Sequence, residues 1–135
     1  MTDVFTKKKR SLIMSRITGK HTLPELKVRK ALFTIGIRYR LHDKKLSGHP
    51  DIVIRRLKTA LFVNGCFWHQ HKNCKRSTIP KTNRNYWLPK LRRNIEKQVE
   101  DFKKLRKEGW KIIIVWECQT KDQIKLELRL RRMFV

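Results

Sequence analysis

The cysteines of this 135-residue chain constrain its fold most tightly, because two stand close together and the third stands far away. Cys66, His71 and Cys74 lie within nine positions, and Cys118 follows the apolar run 110–116. A structural zinc ion takes four nitrogen or sulfur ligands arranged as a tetrahedron. The pattern predicts a zinc ion that ties a loop over 65–83 to the end of a distant strand, with His69 as a further candidate ligand.

The alternative is that the thiols are small buried hydrophobic groups, but their polar neighbours argue against it. We expect no secretory signal at the N-terminus, because no apolar run follows its basic residues. An odd number of cysteines without a secretory context makes disulfides improbable and leaves reduced thiols available as metal ligands.

The net charge narrows the choice of partner. Lys and Arg number 35 against 11 Asp and Glu, which gives a formal charge of +24. A compact domain with that excess repels itself unless a polyanion is bound. No segment approaches the ~20 apolar residues that cross a bilayer. Nucleic acid is therefore favoured over an anionic membrane surface, although ribosomal proteins have a similar charge.

The N-terminal half is predicted to form an arm, a helix and three strands. Residues 1–20 are expected to be a flexible, basic, DNA-contacting arm, and 21–135 a single domain. The capping box Thr22-Leu-Pro-Glu25 opens a helix that Gly36 ends. Its expected buried side chains are Leu26, Val28 (or the stem of Arg29), Leu32 and Phe33. The alternation over 37–41 predicts a half-buried strand, and 51–54 with 59–63 a hairpin.

The C-terminal half adds a helix, a strand and a helix. Apolar side chains recur at helical spacing over 85–108, before Gly109. They are Trp87, Leu91, Ile95, Val99, Phe102 and Leu105. The apolar run Trp110–Trp116 predicts a central strand covered on both faces. A second capping box, Thr120-Lys-Asp-Gln123, opens a last helix with Ile124, Leu128 and Met133. The order predicts an α/β fold with a mixed central sheet flanked by helices.

Two carboxylates are candidates for a catalytic cation site. Asp51 opens a strand after a Gly-His loop, where it could hold Mg²⁺ against a scissile phosphate. A turn or a strand-start cap would explain the same position, and spacing alone favours that explanation. Glu25 already has a structural explanation in the capping box.

Aromatic side chains stand beside many cations. Phe67 and Trp68 lie inside the cysteine-rich loop, and Tyr86-Trp87 starts the long helix. Aromatic groups held on a basic surface can stack on bases or wedge between them. Filling the core is the alternative, although two adjacent large aromatics cannot easily both point inward.

Together these segments resemble the very short patch repair (Vsr) endonucleases, over nearly the whole chain. The likeness is carried by Pro50-Asp51, Leu61-Phe-Val-Asn-Gly65, Cys66-Phe-Trp-His69, His71, Tyr86-Trp87 and Val115-Trp-Glu-Cys118. It implies a restriction-endonuclease-like fold and Mg²⁺-dependent nicking of one strand beside a T·G mismatch, leaving a 5′ phosphate. Because such mismatches arise when 5-methylcytosine deaminates, MutL and a cytosine methyltransferase are the expected associates of a monomeric, cytoplasmic, nucleoid-associated bacterial enzyme.

The resemblance also implies a role for individual residues. Asp51 and the main-chain carbonyl of Val63 would bind Mg²⁺, His69 would activate water, and Glu25 would be an acidic residue of the same site. The implied zinc ligands are Cys66, His71, Cys74 and Cys118. The implied wedge into the duplex is Phe67, Trp68 and Trp87, with Met14 inserted from the arm.

Three features depart from the family pattern. Asn64 stands where His is expected, and an amide cannot titrate near neutral pH. One extra residue separates His71 from Cys74, and a C-terminal extension is expected to be absent. Two alternatives to a mismatch nuclease stay open: a sequence-specific restriction-type nuclease of the same fold, and a non-catalytic zinc-containing DNA-binding protein.

Overall fold

A computed structural model of the chain describes residues 22–134. The predicted arm over 1–20 and Met14 lie outside this range. The helices are α1 (Leu23–Thr34), α2 (Arg84–Lys107) and α3 (Gln123–Phe134). The strands are β1 (Arg40–Leu41), β2 (Ile52–Ile54), β3 (Thr59–Asn64) and β4 (Lys111–Trp116), and short 3₁₀ turns occupy Arg55–Leu57, Lys75–Ser77 and Glu117–Thr120. The predicted order and the α/β class are confirmed.

The four strands form one mixed sheet in the order β1-β2-β3-β4. β1 pairs antiparallel with β2, and β2 antiparallel with β3, as the predicted hairpin requires. β3 and β4 run parallel, with Val63 opposite Val115. A parallel pair needs a long crossover connection, and α2 lies within it.

Helices cover both faces of this sheet. On one face, Val28 and Leu32 of α1 and Leu126 and Leu130 of α3 pack with the strands. On the other face, Phe102 and Leu105 of α2 pack with Ala60 and Phe62. Successive residues of a strand point to opposite faces, so β3 contributes to both clusters. Five of its six residues are buried, and it carries the chain toward Gly65.

The prediction that the strand over 110–116 is central was wrong. Among the described residues, β4 is the last strand in the sheet order and β3 is interior. Ile113 packs on one core cluster, and Ile112 and Ile114 pack on the other. The apolar run therefore predicted correctly that other side chains pack on both faces of β4. It carries no information about whether the outer backbone edge is paired.

The face that the first helix buries matches the prediction only in part, because Val28 and Leu32 are buried as expected. Its capping is as expected, since Thr22 Oγ1 accepts a hydrogen bond from the Glu25 amide, and Gly36 follows it with a positive φ of 81°. However, Leu26 is 44% and Phe33 80% exposed. The buried residues are Glu25, Val28, Ala31 and Leu32. Spacings of three and four place the acidic Glu25 on the buried face, whereas helical amphipathicity predicts an apolar residue there.

Smaller differences concern the strand and the helices that follow. The strand predicted over 37–41 is only Arg40–Leu41, although Ile37 and Tyr39 still pack against the core. In α2, Ile95 and Val99 are exposed despite their helical spacing.

The last helix also differs in its cap and in the face it buries. Asp122 Oδ1 accepts from the Ile124 and Lys125 amides, so Asp122 caps the helix where Thr120 was predicted to do so. Ile124, Leu128 and Met133 are exposed, because Leu126 and Leu130 form the buried face. Across residues 22–134, no helix is both long enough and apolar enough to cross a membrane.

Candidate active site and metal centre

Three ionisable side chains from separate parts of the sheet and α1 meet in one place. Glu25 comes from α1, His42 directly follows β1, and Asp51 directly precedes β2. Their ligand atoms all lie within 4.8 Å of one another. We call this group the acidic cluster. The pairing of Leu41 with Ile52 brings His42 beside Asp51, and α1 packs over the same face of the sheet.

Asp51 is held by the strand next to it. The Val63 amide donates a hydrogen bond of 2.7 Å to Asp51 Oδ2. The pKa of Asp51 is raised from its ordinary 3.8 to about 6, mainly by burial and also by the charge of Glu25, against the opposing effects of the Val63 amide and His42. Two carboxylates in a partly dry site favour either a shared proton or a cation.

Glu25 is buried, with 1% of its surface exposed. The Arg29 guanidinium donates to its Oε2, and Oε1 lies 2.8 Å from His42 Nε2. The backbone amide of Glu25 donates to the capping residue Thr22, whereas its carboxylate belongs to the acidic cluster. The backbone and the side chain of Glu25 therefore have separate contacts, one in helix capping and one at the candidate cation site.

The four predicted zinc ligands also meet. The ligand atoms of Cys66, His71, Cys74 and Cys118 lie within 4.8 Å of one another, and we call them the cysteine cluster. His71 Nδ1 lies 3.7 Å from Cys66 Sγ and 3.5 Å from Cys118 Sγ. The His71 ring stacks on Trp116, with centroids 4.1 Å apart. This donor set, three thiols and an imidazole, is one that a structural zinc site uses.

Ionisation of these thiols depends on their surroundings. Burial raises the pKa of Cys66 to about 12, whereas the backbone amide of Arg76 lowers the pKa of Cys74. Since a metal binds thiolates, an ion in this cluster must displace the proton of Cys66. His69 is not a member of the cluster among the described residues, so the grouping favours His71 as the nitrogen ligand.

His69 has a different environment. Its amide donates to the Gly65 carbonyl, and its Nδ1 is buried with no hydrogen-bond partner among residues 22–134. Burial lowers its pKa, which favours the neutral imidazole. A neutral ring can accept a proton, as a general base must.

The aromatic side chains singled out in the sequence pack on one another. Phe67 lies 5.4 Å from Trp68 and 5.3 Å from Trp87 between ring centroids, and Tyr86 lies 5.0 Å from Trp87. The Lys90 ammonium stands 5.7 Å from the Trp68 ring centroid. Trp68 and Tyr86 are exposed, whereas Phe67 and Trp87 are half-buried. We call Phe67, Trp68, Tyr86 and Trp87 the aromatic cluster, which is a surface feature rather than part of either core cluster.

Asn64 is buried at the end of β3, with 2% of its surface exposed. Its amide and that of Gln98 on α2 hydrogen-bond each other in both directions, at 2.9 and 3.0 Å. The residue that departs from the family pattern thus has a structural partner within the protein.

Comparisons with known proteins agree with this geometry. Residues 2–76, more than half of the chain, match the family model described as DNA mismatch endonuclease Vsr. The chain belongs to the Vsr family. It is 36% identical over 126 residues to the Escherichia coli K12 protein named DNA mismatch endonuclease Vsr, covering 93% of this chain and 80% of that protein. The predicted resemblance is thereby confirmed.

Two further proteins similar to this Vsr-family chain are named as nicking enzymes. It is 46% identical over 133 residues to Type II nicking enzyme V.NmeAIP of Neisseria meningitidis serogroup A, covering 98% of this chain and 94% of the relative. It is 41% identical over 133 residues to Type II nicking enzyme V.XorIIP of Xanthomonas oryzae, covering 98% and 97%. The chain is thus a DNA endonuclease of the Vsr family, and its mixed sheet flanked by helices is the restriction-endonuclease-like fold expected for Vsr.

Three residues that contact these sites were not predicted to do so: Arg29, His42 and Gln98. Arg29 was considered only for its stem, although its spacing of four from Glu25 is typical of a helical ion pair. His42 was predicted to lie in a polar connection. The one sequence feature that could have indicated its role is its position directly after the predicted strand 37–41. Gln98 had no signal, because its partner Asn64 is 34 residues away.

Proposed function

We propose that this Vsr-family endonuclease nicks one strand of duplex DNA beside a T·G mismatch, in a Mg²⁺-dependent reaction that leaves a 5′ phosphate. The observation that carries the proposal is the acidic cluster, which presents two carboxylates beside the strand that leads into the aromatic cluster. The name of the Escherichia coli relative supports mismatch recognition.

The acidic cluster has a donor set that fits a divalent cation. Mg²⁺ binds through one or two carboxylates and keeps several waters. Asp51 and Glu25 supply the carboxylates, and each has one oxygen fixed by a protein donor, the Val63 amide or Arg29. Burial, and to a smaller degree the charge of Glu25, raises the pKa of Asp51, and a cation bound beside it would favour the ionised carboxylate. We propose Asp51 and the Val63 carbonyl as the protein ligands, with Glu25 beside them.

Mg²⁺ bound there would polarise the scissile phosphate and lower the pKa of a coordinated water. Asp51 would hold the cation, and the Val63 amide fixes the orientation of its carboxylate. His69, whose neutral form burial favours, would accept the proton of the attacking water. Asn64 would have a structural role at this site, because the oxygen and the nitrogen of its side-chain amide are both hydrogen-bonded to Gln98.

DNA recognition is proposed for the aromatic cluster and the basic surface. Phe67, Trp68 and Trp87 would enter the duplex, where unstacking is less costly at a mismatch. Lysine and arginine side chains would supply salt-dependent affinity for phosphates. The arm over 1–20 would add contacts, including Met14 at the mismatch.

The cysteine cluster is proposed to bind zinc as a scaffold. It spans the loop that carries Phe67, Trp68 and His69 and ties that loop to Cys118 after β4. A tightly bound ion would keep these side chains in a fixed orientation between encounters with DNA. A cytosine methyltransferase and MutL are proposed associates, and a monomer in the bacterial cytoplasm is the proposed state.

The test is a nicking assay with Mg²⁺ on T·G and matched duplexes of the same sequence, using wild type and Asp51→Ala. The proposal expects one nicked strand on the T·G duplex with wild type only.

A second candidate is a sequence-specific nicking enzyme that needs no mismatch. The names of the Neisseria and Xanthomonas relatives favour it, because each is called a Type II nicking enzyme. Equal nicking of matched and mismatched duplexes by wild type would establish this second function.

A further inference from the structure

We propose that the catalytic cation, assigned above to Asp51 and the Val63 carbonyl, takes a nitrogen ligand from His42 as well, with the adjacent Glu25 carboxylate completing the protein side of the site. The inference rests on the proposed function, because it assigns a residue to the same cation site. Its consequence concerns which ion the site prefers.

The backbone places His42 firmly at this site. Its amide donates to the Asp51 carbonyl at 3.1 Å, directly beyond the pairing of Leu41 with Ile52. Its φ is 47°, in the left-handed region that a minority of non-glycine residues adopt. The side chain is 13% exposed. The backbone beside Asp51 therefore directs an imidazole into the acidic cluster.

The distances suit ligands of a common ion. Adjacent ligands of an octahedral ion at about 2.1 Å are separated by about 3 Å. His42 Nε2 lies 2.8 Å from Glu25 Oε1, and the three ligand atoms of the cluster lie within 4.8 Å of one another. Arg29 donates to the other oxygen of Glu25, which orients Oε1 toward His42. The three groups therefore lie close enough together to face one cation.

Ligand chemistry then predicts ion preference. Carboxylates, carbonyls and water suit Mg²⁺ and Mn²⁺, whereas an imidazole suits transition metals and adds little for Mg²⁺. An imidazole ligand therefore raises affinity for Mn²⁺ more than for Mg²⁺. A His42 that only orients Glu25 through a hydrogen bond would affect both ions to the same degree.

The experiment compares the zinc-loaded full chain without DNA in three forms: wild type, His42→Gln and His49→Gln. Glutamine keeps a hydrogen-bond donor for Glu25 but removes the imidazole. His49 is an exposed histidine outside both clusters and serves as the matched control. Mn²⁺ and Mg²⁺ affinities are measured by titration calorimetry, and ¹⁴N coupling to bound Mn²⁺ by pulsed electron paramagnetic resonance.

We expect His42→Gln to weaken Mn²⁺ binding by roughly tenfold or more and Mg²⁺ binding much less. The ¹⁴N coupling should disappear in His42→Gln and persist in His49→Gln. Persistence of that coupling in His42→Gln, or an equal change in both affinities, would overturn the inference. The proposed function would fail separately, if Asp51→Asn nicked DNA as well as wild type.

Discussion

The side-chain amides of Asn64 and Gln98 hydrogen-bond each other in both directions, from Asn64 Nδ2 to Gln98 Oε1 at 2.9 Å and from Gln98 Nε2 to Asn64 Oδ1 at 3.0 Å. Asn64 ends β3, one residue before the cysteine-rich loop, and Gln98 lies on α2, the helix that carries Trp87. This pair, in which Asn64 is buried and Gln98 half-buried, connects the two segments that contribute the aromatic cluster. It gives the departure from the family pattern a structural role.

Breaking this pair should destabilise the fold. Gln98→Ala leaves the buried Asn64 amide without its partner, which costs about 1–3 kcal/mol of unfolding free energy, and Asn64→Ala, which leaves the half-buried Gln98 amide, should cost less. The double variant should lose less than the sum of the single variants, because neither group is then left unpaired. Urea denaturation of all four proteins measures this coupling. Strictly additive losses would show that the two amides do not depend on each other.

Zinc content should depend on Cys118, although it lies 44 positions after Cys74. Metal analysis of wild type should find about one zinc per chain, and Cys118→Ser should retain almost none. His69→Gln is the matched control and should keep its zinc, because His69 is outside the cysteine cluster. A folded wild type without zinc would contradict the assignment, as would loss of zinc from His69→Gln alone.

Zinc retention should also strengthen as pH rises. Burial raises the pKa of Cys66 to about 12, so zinc binding must release that proton. Competition with a chromophoric chelator from pH 6 to 8 should show an apparent zinc affinity that increases with pH, after correction for the chelator's own protonation. A pH-independent affinity would exclude thiolate formation on binding.

The pKa of Asp51 predicts how stability changes with pH. Because this pKa is raised from 3.8 to about 6, the folded protein binds the proton more tightly than the unfolded chain. The resulting stabilisation is complete below about pH 4 and is lost as pH rises through 6. Asp51→Asn cannot lose it, so wild type should lose roughly 2–3 kcal/mol relative to this variant between pH 4 and 7.

Denaturation in buffers without added divalent cations or chelator measures this difference, because both proteins have the same cysteine cluster and any zinc lost at low pH is lost from both. The other titrating groups are common to both proteins and largely cancel. Adding Mg²⁺ at pH 7 should stabilise wild type and leave Asp51→Asn unchanged. A difference between the proteins that stays constant from pH 4 to 7 would contradict the raised pKa.

Removing Trp68 should weaken binding to mismatched DNA. Trp68→Ala loses the most exposed indole of the aromatic cluster, and stacking on a base contributes about 1–3 kcal/mol. We expect a loss of roughly tenfold or more in affinity for a T·G duplex and a smaller loss for the matched duplex, by fluorescence anisotropy at constant salt without divalent cations. Phe33→Ala, which removes an aromatic side chain that is 80% exposed on α1, should bind both duplexes like wild type. Equal losses on both duplexes would contradict a mismatch-sensing role.

Local patterns predicted the elements of this fold well. The Thr22 cap, the glycines after α1 and α2 and the β-branched runs of the hairpin each act through neighbouring residues. Sequence patterns predicted less well which helix face is buried. Leu26 and Phe33 are apolar yet exposed, because the buried face of α1 includes Glu25 and its contacts with Arg29 and His42.

The two candidate sites differed in how predictable they were. The cysteine cluster could be predicted because few residue types bind zinc and the chain uses all three of its cysteines there. The acidic cluster was predicted only in part, because Glu25 and Asp51 were named as candidates but His42 was not. The three residues meet through the β1–β2 register and the packing of α1. That register is a tertiary property, and the short strand Arg40–Leu41 gave little indication of it.

The central claim, a cation site at Asp51 in a mismatch-specific nuclease, is tested most directly by strand cleavage. A panel of end-labelled T·G duplexes with varied flanking bases, each with its matched counterpart, is incubated with Mg²⁺ and either wild type or Asp51→Ala. We predict a nick in one strand of at least one T·G duplex with wild type, no cut in its matched counterpart, and no product with Asp51→Ala. Undiminished cutting by Asp51→Ala, or equal cutting of matched and mismatched duplexes, would contradict the account.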